Sequence, residues 1–232
     1  MTEVTTLRHL AFIMDGNRRW ADRNGVPRVR GHKEGIYAIE RVIEGCIRNE
    51  IKFLTVFAFS TENWNRSRAE LRYLSRLMFI YLSLLRGRRI GGDLLQKVKI
   101  NFIGDIQNFG KLNYSLMNSI EEVTRDNSEI HVMVAVSYGG RDEIVSAVNR
   151  SLANGKNRIT KIDIEENLYC PDVPFPDLIV RTGDEKRLSN FLTWQSAYSE
   201  LFYLQKLWPD ISSDDVQFCK VEYESRERKF GS

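Results

Sequence analysis

The chain has 232 residues, of which 42% are hydrophobic and 28% charged, as in an ordinary folded domain. Its formal net charge of +3 is too small to predict a nucleic-acid partner. Cys46, Cys170 and Cys219 lack the spacing of a zinc site or a disulfide framework, so we expect a reducing, cytoplasmic environment. No apolar stretch is long enough to span a bilayer, and we expect any membrane contact to be peripheral, at the inner membrane face.

Short apolar runs alternate with segments of helical spacing along the chain. The runs predict buried strands at Leu10–Met14, Phe53–Phe59, Val98–Ile103, His131–Val136, Leu178–Val180 and Leu201–Leu204. The helical segments are Glu34–Asn49, Ala69–Leu85, Lys111–Thr124 and Glu143–Leu152. This order predicts an α/β fold with a single doubly wound, mostly parallel sheet and helices on both faces. No linker divides residues 1–232, so we expect one domain.

Polar loops, most of them containing glycine, follow five of the predicted strands. These loops are Asp15–Asn17, Ser60–Asn63, Gly104–Asp105, Gly139–Arg141 and Arg181–Asp184. In open parallel sheets, ligands bind outside the carboxyl ends of the strands. The sequence therefore predicts a binding site where these loops converge, although each loop alone could be an ordinary turn.

The loop after the first strand has groups suited to a metal ion and a phosphate. Asp15 can bind a metal, and Gly16–Asn17 allows the backbone to approach a phosphate closely. Arg19 and Arg28 can then bind phosphate oxygens in bidentate fashion. The alternative is a strand-to-helix turn in which Asp15 caps the helix and the arginines lie on the surface. The pattern alone leaves both interpretations open.

His32 follows Gly31 and precedes the first long helical segment. It comes shortly after several arginines, whose charge should lower the pKa of the imidazole and keep it neutral at physiological pH. A neutral imidazole can form one hydrogen bond with a diphosphate. The alternative is a capping or surface residue, which is the commoner role of an isolated histidine.

Ser60–Arg66 is a second polar cluster and follows a strongly apolar strand. Trp64, beside amides and Arg66, suits an amphiphile with an apolar tail and an anionic head. The alternative is an N-capped turn whose Trp64 packs in the core, and this cluster taken alone slightly favours that alternative.

Arg181–Asn190 is a third cluster, after the fifth strand. Its two arginines, lysine and serine can neutralise a second diphosphate, while Asp184 and Glu185 keep the loop from being strongly basic. Glu200 begins the next strand and could supply a second carboxylate to a metal. A charge at the sheet edge is the default alternative for Glu200.

Several ordered blocks of the chain resemble the signature blocks of the cis-prenyltransferases. The blocks are His9–Trp20 (HLAFIMDGNRRW), Gly31–Gly35 (GHKEG), Ala58–Trp64 (AFSTENW), Tyr138–Arg141 (YGGR), Asp177–Gly183 (DLIVRTG), Ser189–Gln195 (SNFLTWQ) and Leu207–Pro209 (LWP). They occur in the family's order across nearly the whole chain, so chance agreement is a poor explanation.

The resemblance implies a function, a cofactor and roles for individual residues. The reaction is the extension of an allylic diphosphate, such as farnesyl diphosphate, by isopentenyl diphosphate, with cis double bonds, into a long polyprenyl diphosphate that precedes a lipid carrier. By resemblance Asp15 and Asn63 are catalytic, and Asp15 and Glu200 bind Mg²⁺. The implied substrate-binding residues are Gly16, Asn17, Arg18, Arg19, Trp20, Arg28, His32, Ser60, Thr61, Glu62, Trp64, Arg66, Arg181, Arg187 and Ser189. The family's doubly wound parallel sheet and its homodimers are implied as well.

Three positions depart from the family pattern. Arg18 stands where many bacterial members have glycine, which weakens a role for its backbone. Asp184 stands where the usual motif has a second glycine, so the loop geometry could differ. Lys229, before Phe230–Gly231, replaces an arginine, so a contact from there to a diphosphate of the other subunit would use a point charge.

The resemblance also implies an apolar tunnel for the growing chain. Ala58 matches a small residue in its wall, and residues near Ala58, the helical segment Ala69–Leu85 and Ile100 are expected to set its volume and so the product length. The candidate wall on the third helical segment consists of Leu71, Leu74, Leu77, Met78, Ile80, Tyr81, Leu84 and Leu85. Such a stripe is more often plain core. Arg86–Arg89 could contact anionic lipid, but a solvated helix end is the favoured interpretation.

Two other functions remain open from the sequence. A non-catalytic lipid-binding subunit could share this fold, because a fold does not fix a function. A phosphohydrolase could use Asp15 near a metal, although the chain has no Asp-x-Asp pair. The absence of an Asp-Asp-x-x-Asp motif argues against a trans-prenyltransferase mechanism. Product length, the preferred primer and the proton acceptor are not determined by the sequence.

Overall fold

A parallel sheet forms the centre of the computed structural model, which describes residues 6–87 and 92–226. Within these residues the six strands are β1 (His9–Ile13), β2 (Phe53–Ser60), β3 (Val98–Ile103), β4 (Ile130–Tyr138), β5 (Leu178–Thr182) and β6 (Glu200–Leu204). Their spatial order is β3-β4-β2-β1-β5-β6, and every recorded pairing is parallel. The predicted doubly wound α/β fold is confirmed, and the strand ends differ from those predicted by at most two residues.

Helices connect most of the strands. Those described are α1 (Asn17–Arg23), α2 (Arg28–Arg48), α3 (Arg68–Arg86), α4 (Lys111–Thr124), α5 (Gly140–Ala153), α6 (Lys161–Glu165) and α7 (Ser213–Glu224). The short helices α1 and α6, and α7, were not predicted. The sequence predicted that the first long helix begins at Glu34, whereas α2 begins at Arg28. The first turns of α2 are polar and have no apolar periodicity, so the pattern did not reveal them.

The alternating side chains of each strand divide the core between the two faces of the sheet. On β1, Leu10 and Phe12 belong to the larger apolar cluster, which also contains buried side chains of α2, α3, α4 and α7. Ala11 and Ile13 belong to the cluster on the opposite face. Helices therefore cover the larger cluster, on the face that also contains the apolar cavity described below.

The strand register determines which predicted loops meet. Ile13 of β1 lies opposite Phe57 of β2 and Arg181 of β5. The loops that follow these three strands therefore converge at one edge of the sheet, as predicted. In the part of the chain that the structure describes, no helix is long and apolar enough to cross a membrane.

Candidate active site

Asp15 lies at the centre of the converging loops. Its Oδ2 is 2.9 Å from Nη2 of Arg181, and its Oδ1 is 3.3 Å from Nη2 of Arg19. The Asp15 N–H donates to Oγ1 of Thr182 (3.0 Å), and the Thr182 hydroxyl contacts the Asp15 carbonyl (2.7 Å). The N-cap of α1 is Gly16, with φ of 108°, so the alternative in which Asp15 caps this helix is wrong. The carboxylate faces cations instead.

Arg181 presents a buried cation to the carboxylate. Its side chain is only 6% exposed, and Nη1 donates to the Arg187 carbonyl (2.6 Å) and to Oγ of Ser189 (2.7 Å). Nε of Arg181 is buried without a hydrogen-bond partner among the described residues. Because its other donors hold the guanidinium in place, Arg181 is positioned in advance for an anion beside Asp15.

The loop after β5 adopts backbone conformations that are uncommon for side-chain-bearing residues. Asp184, Ser189 and Asn190 have φ values of 63°, 51° and 62°. Aspartate and asparagine tolerate the left-handed region better than most residues. Asp184 therefore adopts the positive φ that a glycine at this position would permit. The Arg187 side chain is exposed and pairs with Glu185.

The polar side chains of α1 and α2 meet beside Asp15. Arg19 donates to the Gly183 carbonyl at 2.6 Å. Oδ1 of Asn17 is buried without a partner among the described residues, and a Cβ built on Gly35 would lie 2.3 Å from it. The glycine of α2 therefore makes room for the amide. This unpaired oxygen is available to a ligand.

Burial lowers the pKa of His32 to about 4, and the charge of Arg66 has the next largest effect in the same direction. The charge of Arg18 also lowers this pKa, whereas the charge of Glu70 raises it. The predicted neutral imidazole is thus confirmed in direction. The arginines contribute, but burial has the largest effect. Neutral His32 can share a hydrogen bond with a bound anion without adding charge.

Glu70 of α3 links two arginines of the predicted site. It pairs with Arg18 and, at 3.0 Å, with Arg66. Partial burial acts to raise the pKa of Glu70, but the hydrogen bond from Arg18 and the charges of both arginines hold it below its usual value. Arg18 is thus engaged by a side chain, a role that a glycine could not fill.

The loop after β2 contributes a second set of polar groups. The Ser60 N–H donates to Oδ1 of Asn63 at 3.1 Å. The Thr61 hydroxyl donates to Asp142 (3.1 Å), and Nδ2 of Asn190 donates to Glu62 (3.0 Å). Thr61 and Glu62 therefore hold this loop against the turns after β4 and β5.

A polar cleft lies between these loops. It is lined by Ile13, Met14, Asp15, Asn17, His32, Phe57, Ala58, Phe59, Ser60, Asn63, Arg66, Leu74, Arg181 and Ser189. Eight of the predicted site residues are therefore brought together: Asp15, Asn17, His32, Ser60, Asn63, Arg66, Arg181 and Ser189. They come from distant parts of the sequence and surround a cleft lined by the cations Arg66 and Arg181 and by several hydrogen-bonding groups.

Some predicted residues point elsewhere. The Trp64 indole donates to Ser137 and packs against Phe59 and Phe109, as its core interpretation predicted. Trp20 donates to Asp210 at 2.6 Å. Trp64 therefore packs against Phe59 of the cleft lining, whereas Trp20 is hydrogen-bonded outside that lining.

Arg28 and Glu200, also of the predicted set, form ion pairs away from the cleft. Arg28 pairs with Asp22, and its side chain is largely exposed. Glu200 is the first residue of β6, opposite Leu178 at the amino end of β5, and it pairs with Arg226 at 2.6 Å. Three residues of strand, about 10 Å, separate it from the level of Arg181. The chain as described does not place Glu200 beside Asp15.

An apolar cavity continues from the cleft along the α2–α3 face of the sheet. Met14, Asn17, His32, Ala58, Phe59 and Leu74 line both spaces and form the mouth of the cavity. The cavity contains about 1170 Å³ of empty space, its open end included. It runs between α2, α3 and the strands β3 and β4.

The cavity lining only partly matches the predicted tunnel wall. Leu74, Leu77, Met78, Tyr81 and Leu85 of α3 line it, as do Ala58 and Ile100. Ile80 is instead exposed, and Leu71 and Leu84 are not in the lining. The sequence analysis missed Leu82 and the lining residues of α2, among them Glu40. The spacing of Ile36, Ile39 and Ile43 could have revealed the α2 wall.

Two predicted contacts fall on parts of the chain outside the described residues. The undescribed residues include Arg88 and Arg89 of the basic run Arg86–Arg89, and the C-terminal segment 229–231. The contacts suggested there with anionic lipid and with the other subunit stay predictions.

Comparison with known proteins assigns the chain to a family. The prenyltransferase family model, described as undecaprenyl diphosphate synthase, matches residues 13–231. An isoprenyl transferase of Rickettsia typhi is 40% identical over 228 residues, covering 98% of this chain and 99% of the relative. One of Fusobacterium nucleatum is 42% identical over 226 residues, covering 97% and 95%.

A solved structure supports the same assignment. Lavandulyl diphosphate synthase from Lavandula x intermedia, in complex with dimethylallyl diphosphate, has a TM-score of 0.90 and 32% identity. The match covers 98% of this chain and 99% of that one. With its parallel sheet and its cleft of Asp15, Arg181 and Ser189, the chain belongs to the undecaprenyl diphosphate synthase family of isoprenyl transferases, enzymes that elongate prenyl chains.

Proposed function

We propose that this chain is a magnesium-dependent enzyme that joins isopentenyl diphosphate to an allylic diphosphate, with farnesyl diphosphate as the first primer to test. The observation that carries the proposal is the shared mouth of the polar cleft and the apolar cavity. A molecule with an anionic head and an apolar tail fits both spaces at once. A hydrolase of small phosphate esters would have no use for the cavity.

The cleft offers two groups of anion-binding side chains. Asn17 and His32 line both the cleft and the cavity mouth, and Arg19 of α1 pairs with Asp15; these side chains suit the allylic diphosphate whose tail enters the cavity. Arg181 and Ser189 lie on the β5 side and suit isopentenyl diphosphate. Arg187 could also bind this diphosphate if its guanidinium left Glu185 and paired with a phosphate oxygen.

The donor set around Asp15 fits magnesium that arrives with a diphosphate. Mg²⁺ is commonly held by one or two carboxylates together with substrate phosphates and water. No group of three or more His, Cys, Asp or Glu side chains that could hold a metal occurs among residues 6–87 and 92–226, so the proposed ion would take further ligands from the substrate and water. Asp15 and the unpaired oxygen of Asn17 would hold the ion, which supplies positive charge to the leaving diphosphate.

The side chains of the cleft match the charges of the reaction. The C–O bond of the allylic diphosphate breaks, and the diphosphate leaves with the electron pair. The double bond of isopentenyl diphosphate forms the new C–C bond, and a proton is lost from the adjacent carbon. Arg19 and Arg181 face the growing negative charge from fixed positions, which is where electrostatic stabilisation lowers a barrier most. Asn63, which also lines the cleft, could contribute an uncharged hydrogen-bonding group.

The remaining features of the proposal come from the family. They are cis geometry in the product, a long polyprenyl diphosphate as lipid-carrier precursor, a homodimer with Glu200 as a further magnesium ligand, and a cytoplasmic enzyme with a peripheral contact to the inner membrane face. Within one chain Glu200 is remote from Asp15, so its proposed role requires an approach from a second subunit.

The first experiment incubates the purified protein with Mg²⁺, farnesyl diphosphate and labelled isopentenyl diphosphate, and separates the products by length. We expect Asp15→Ala to lose at least about 10²-fold in turnover, because a preorganised charge at the reacting diphosphate is removed. Asp22→Ala is the matched control, since Asp22 pairs with Arg28 outside the cleft lining.

Each other outcome identifies a different function. Binding of farnesyl diphosphate without turnover, with several primers, would favour the lipid-binding subunit. Release of inorganic phosphate without chain growth would favour the phosphohydrolase. Turnover that is unchanged in Asp15→Ala, or that persists after magnesium is chelated, would contradict the proposed roles of Asp15 and the metal.

A further inference from the structure

The wall of the apolar cavity contains a carboxylate well inside its mouth. Most lining side chains are apolar, and the polar Asn17 and His32 stand at the mouth shared with the cleft. Glu40 of α2 and Tyr81 of α3 lie farther in. A carboxylate is unexpected in the wall of a passage for a hydrocarbon, because burial of an ionised group is costly.

The two side chains face each other across the cavity wall. The Tyr81 hydroxyl donates to Oε1 of Glu40 at 3.4 Å, a long hydrogen bond. Arg41, next along α2, is turned away: its guanidinium donates to the carbonyls of Pro209 (2.7 Å) and Ile211 (2.9 Å). Glu40 therefore has one weak donor from α3 and no close support from its neighbouring cation.

Burial has consequences for both ionisable groups. Burial has the largest effect on Glu40 and raises the pKa of its carboxyl group. The charge of Glu44 also raises this pKa, whereas the Tyr81 hydrogen bond and the charge of Arg41 act to lower it. Burial also raises the pKa of Tyr81, and the charge of Glu40 adds to this. Both groups are thus already in an environment that disfavours charge before any hydrocarbon enters.

The pair lies partway along the cavity. Glu40 is eight residues after His32 on α2, and Tyr81 is seven after Leu74 on α3, so each is roughly 10–12 Å beyond the mouth at 1.5 Å per residue. The cavity continues past this level to a deeper section. The residues of that section are Ile43, Leu82, Leu85, Leu94, Leu95 and Val98. A growing chain must therefore pass the pair to fill the whole cavity.

We infer that Glu40 and Tyr81 set the chain length at which the product is released, an inference that rests on the proposed function. Half-buried Glu40 retains some access to water. An apolar chain that slides past it removes this water, and the single bond from Tyr81 replaces it poorly. Further condensations then become slower relative to release. The pair therefore opposes elongation beyond this length because Glu40 loses its hydration, and not because the two side chains block the cavity.

The experiment compares the product lengths of four proteins under the proposed assay conditions. Glu40→Leu removes the carboxylate, and its most abundant product should be longer by at least one isoprene unit. Tyr81→Phe removes only the hydroxyl and leaves Glu40 without its donor, so its products should be shorter. Glu44→Leu is the matched control: the same change one turn farther along α2, at an exposed residue outside the lining.

The outcomes distinguish this inference from the proposed function. Incorporation at the unmodified rate, with the product length unchanged or shorter in Glu40→Leu, would overturn the inference alone. An equal shift in Glu44→Leu would overturn it too, because a general change of helix charge would then explain the effect. Absence of any incorporation by the unmodified protein would overturn the proposed function and the inference with it. Thermal unfolding of each variant checks that the fold is retained.

Discussion

At the scale of single residues, the Asp15–Arg181 pair couples the loops after β1 and β5. The Arg181 side chain makes three contacts, with Asp15, Ser189 and the Arg187 carbonyl, and its Nε has no hydrogen-bond partner in the described chain. Only a planar, forked cation can meet these demands together. The identity of the cation should therefore matter as much as its charge.

This leads to a prediction for Arg181→Lys. The ammonium retains the charge but cannot reach Asp15, Ser189 and the carbonyl at once. We expect KM for isopentenyl diphosphate to rise about 10-fold or more, equivalent to about 1.4 kcal/mol, with a smaller change for the allylic substrate. Steady-state kinetics with each substrate varied in turn provides the measurement. Equal KM increases for both substrates would contradict the assignment of Arg181 to one diphosphate.

At the scale of elements, α1 and α2 form a close-packed corner next to the cleft. A Cβ built on Gly31 would lie 2.1 Å from the Asn17 carbonyl oxygen, which is backbone and cannot rotate away. Gly35 gives the Asn17 side chain similar room. Gly31 and Gly35, one turn apart on α2, therefore determine how near α1 can lie to this helix, which also contains His32.

A substitution at Gly31 should displace the whole corner. We expect Gly31→Ala to destabilise the protein by about 1–3 kcal/mol, as overpacking does, and to weaken allylic diphosphate binding because Asn17 moves with α1. Urea unfolding and substrate titration measure the two effects. Lys33→Ala, at an exposed position of the same helix, is the control and should be near neutral. A fully stable Gly31→Ala variant would refute the close contact.

At the scale of the whole molecule, all three histidines are held neutral by their surroundings. His9, His32 and His131 each have a pKa of about 4, in every case chiefly because burial penalises the charged form. They lie on different elements: His9 bonds to Thr55 and Pro174, and His131 to Asn101. Their effect on stability is thus distributed over the fold.

The sign of the pH dependence follows from this lowering. Between the unfolded pKa of 6.5 and the folded value of about 4, the unfolded chain binds more protons, so stability is full above 6.5 and falls as the pH falls through this window. We expect a lower free energy of unfolding at about pH 5 than at about pH 7. Denaturant titrations at both values test this, and His131→Gln should reduce the difference. A pH-independent stability would contradict the prediction.

The sequence determines much of the fold and the centre of the site because both depend on local patterns. Apolar runs mark the strands, and the carboxyl ends of parallel strands share an edge, so Asp15, Ser60 and Arg181 could be grouped before any coordinates. The positions of Trp64 and Glu200 could not be predicted from such local patterns. The contacts of Trp64 depend on tertiary packing, and the edge on which Glu200 lies depends on strand register. Glu40 was missed because a glutamate on an amphipathic helix is ordinarily exposed to solvent.

The apolar cavity is lined by the same cluster that forms the larger core of the protein: Phe59, Leu82, Leu85, Val98 and Ile100 belong to both. The cavity is therefore a gap in this core, and in the proposed reaction the growing product would fill it as a temporary part of the protein interior. Each condensation that leaves the chain short of Glu40 and Tyr81 would then add packing contacts with the enzyme's own core, so affinity would rise with length over that section. Release of the finished chain would expose that apolar surface again, so the step would be energetically uphill.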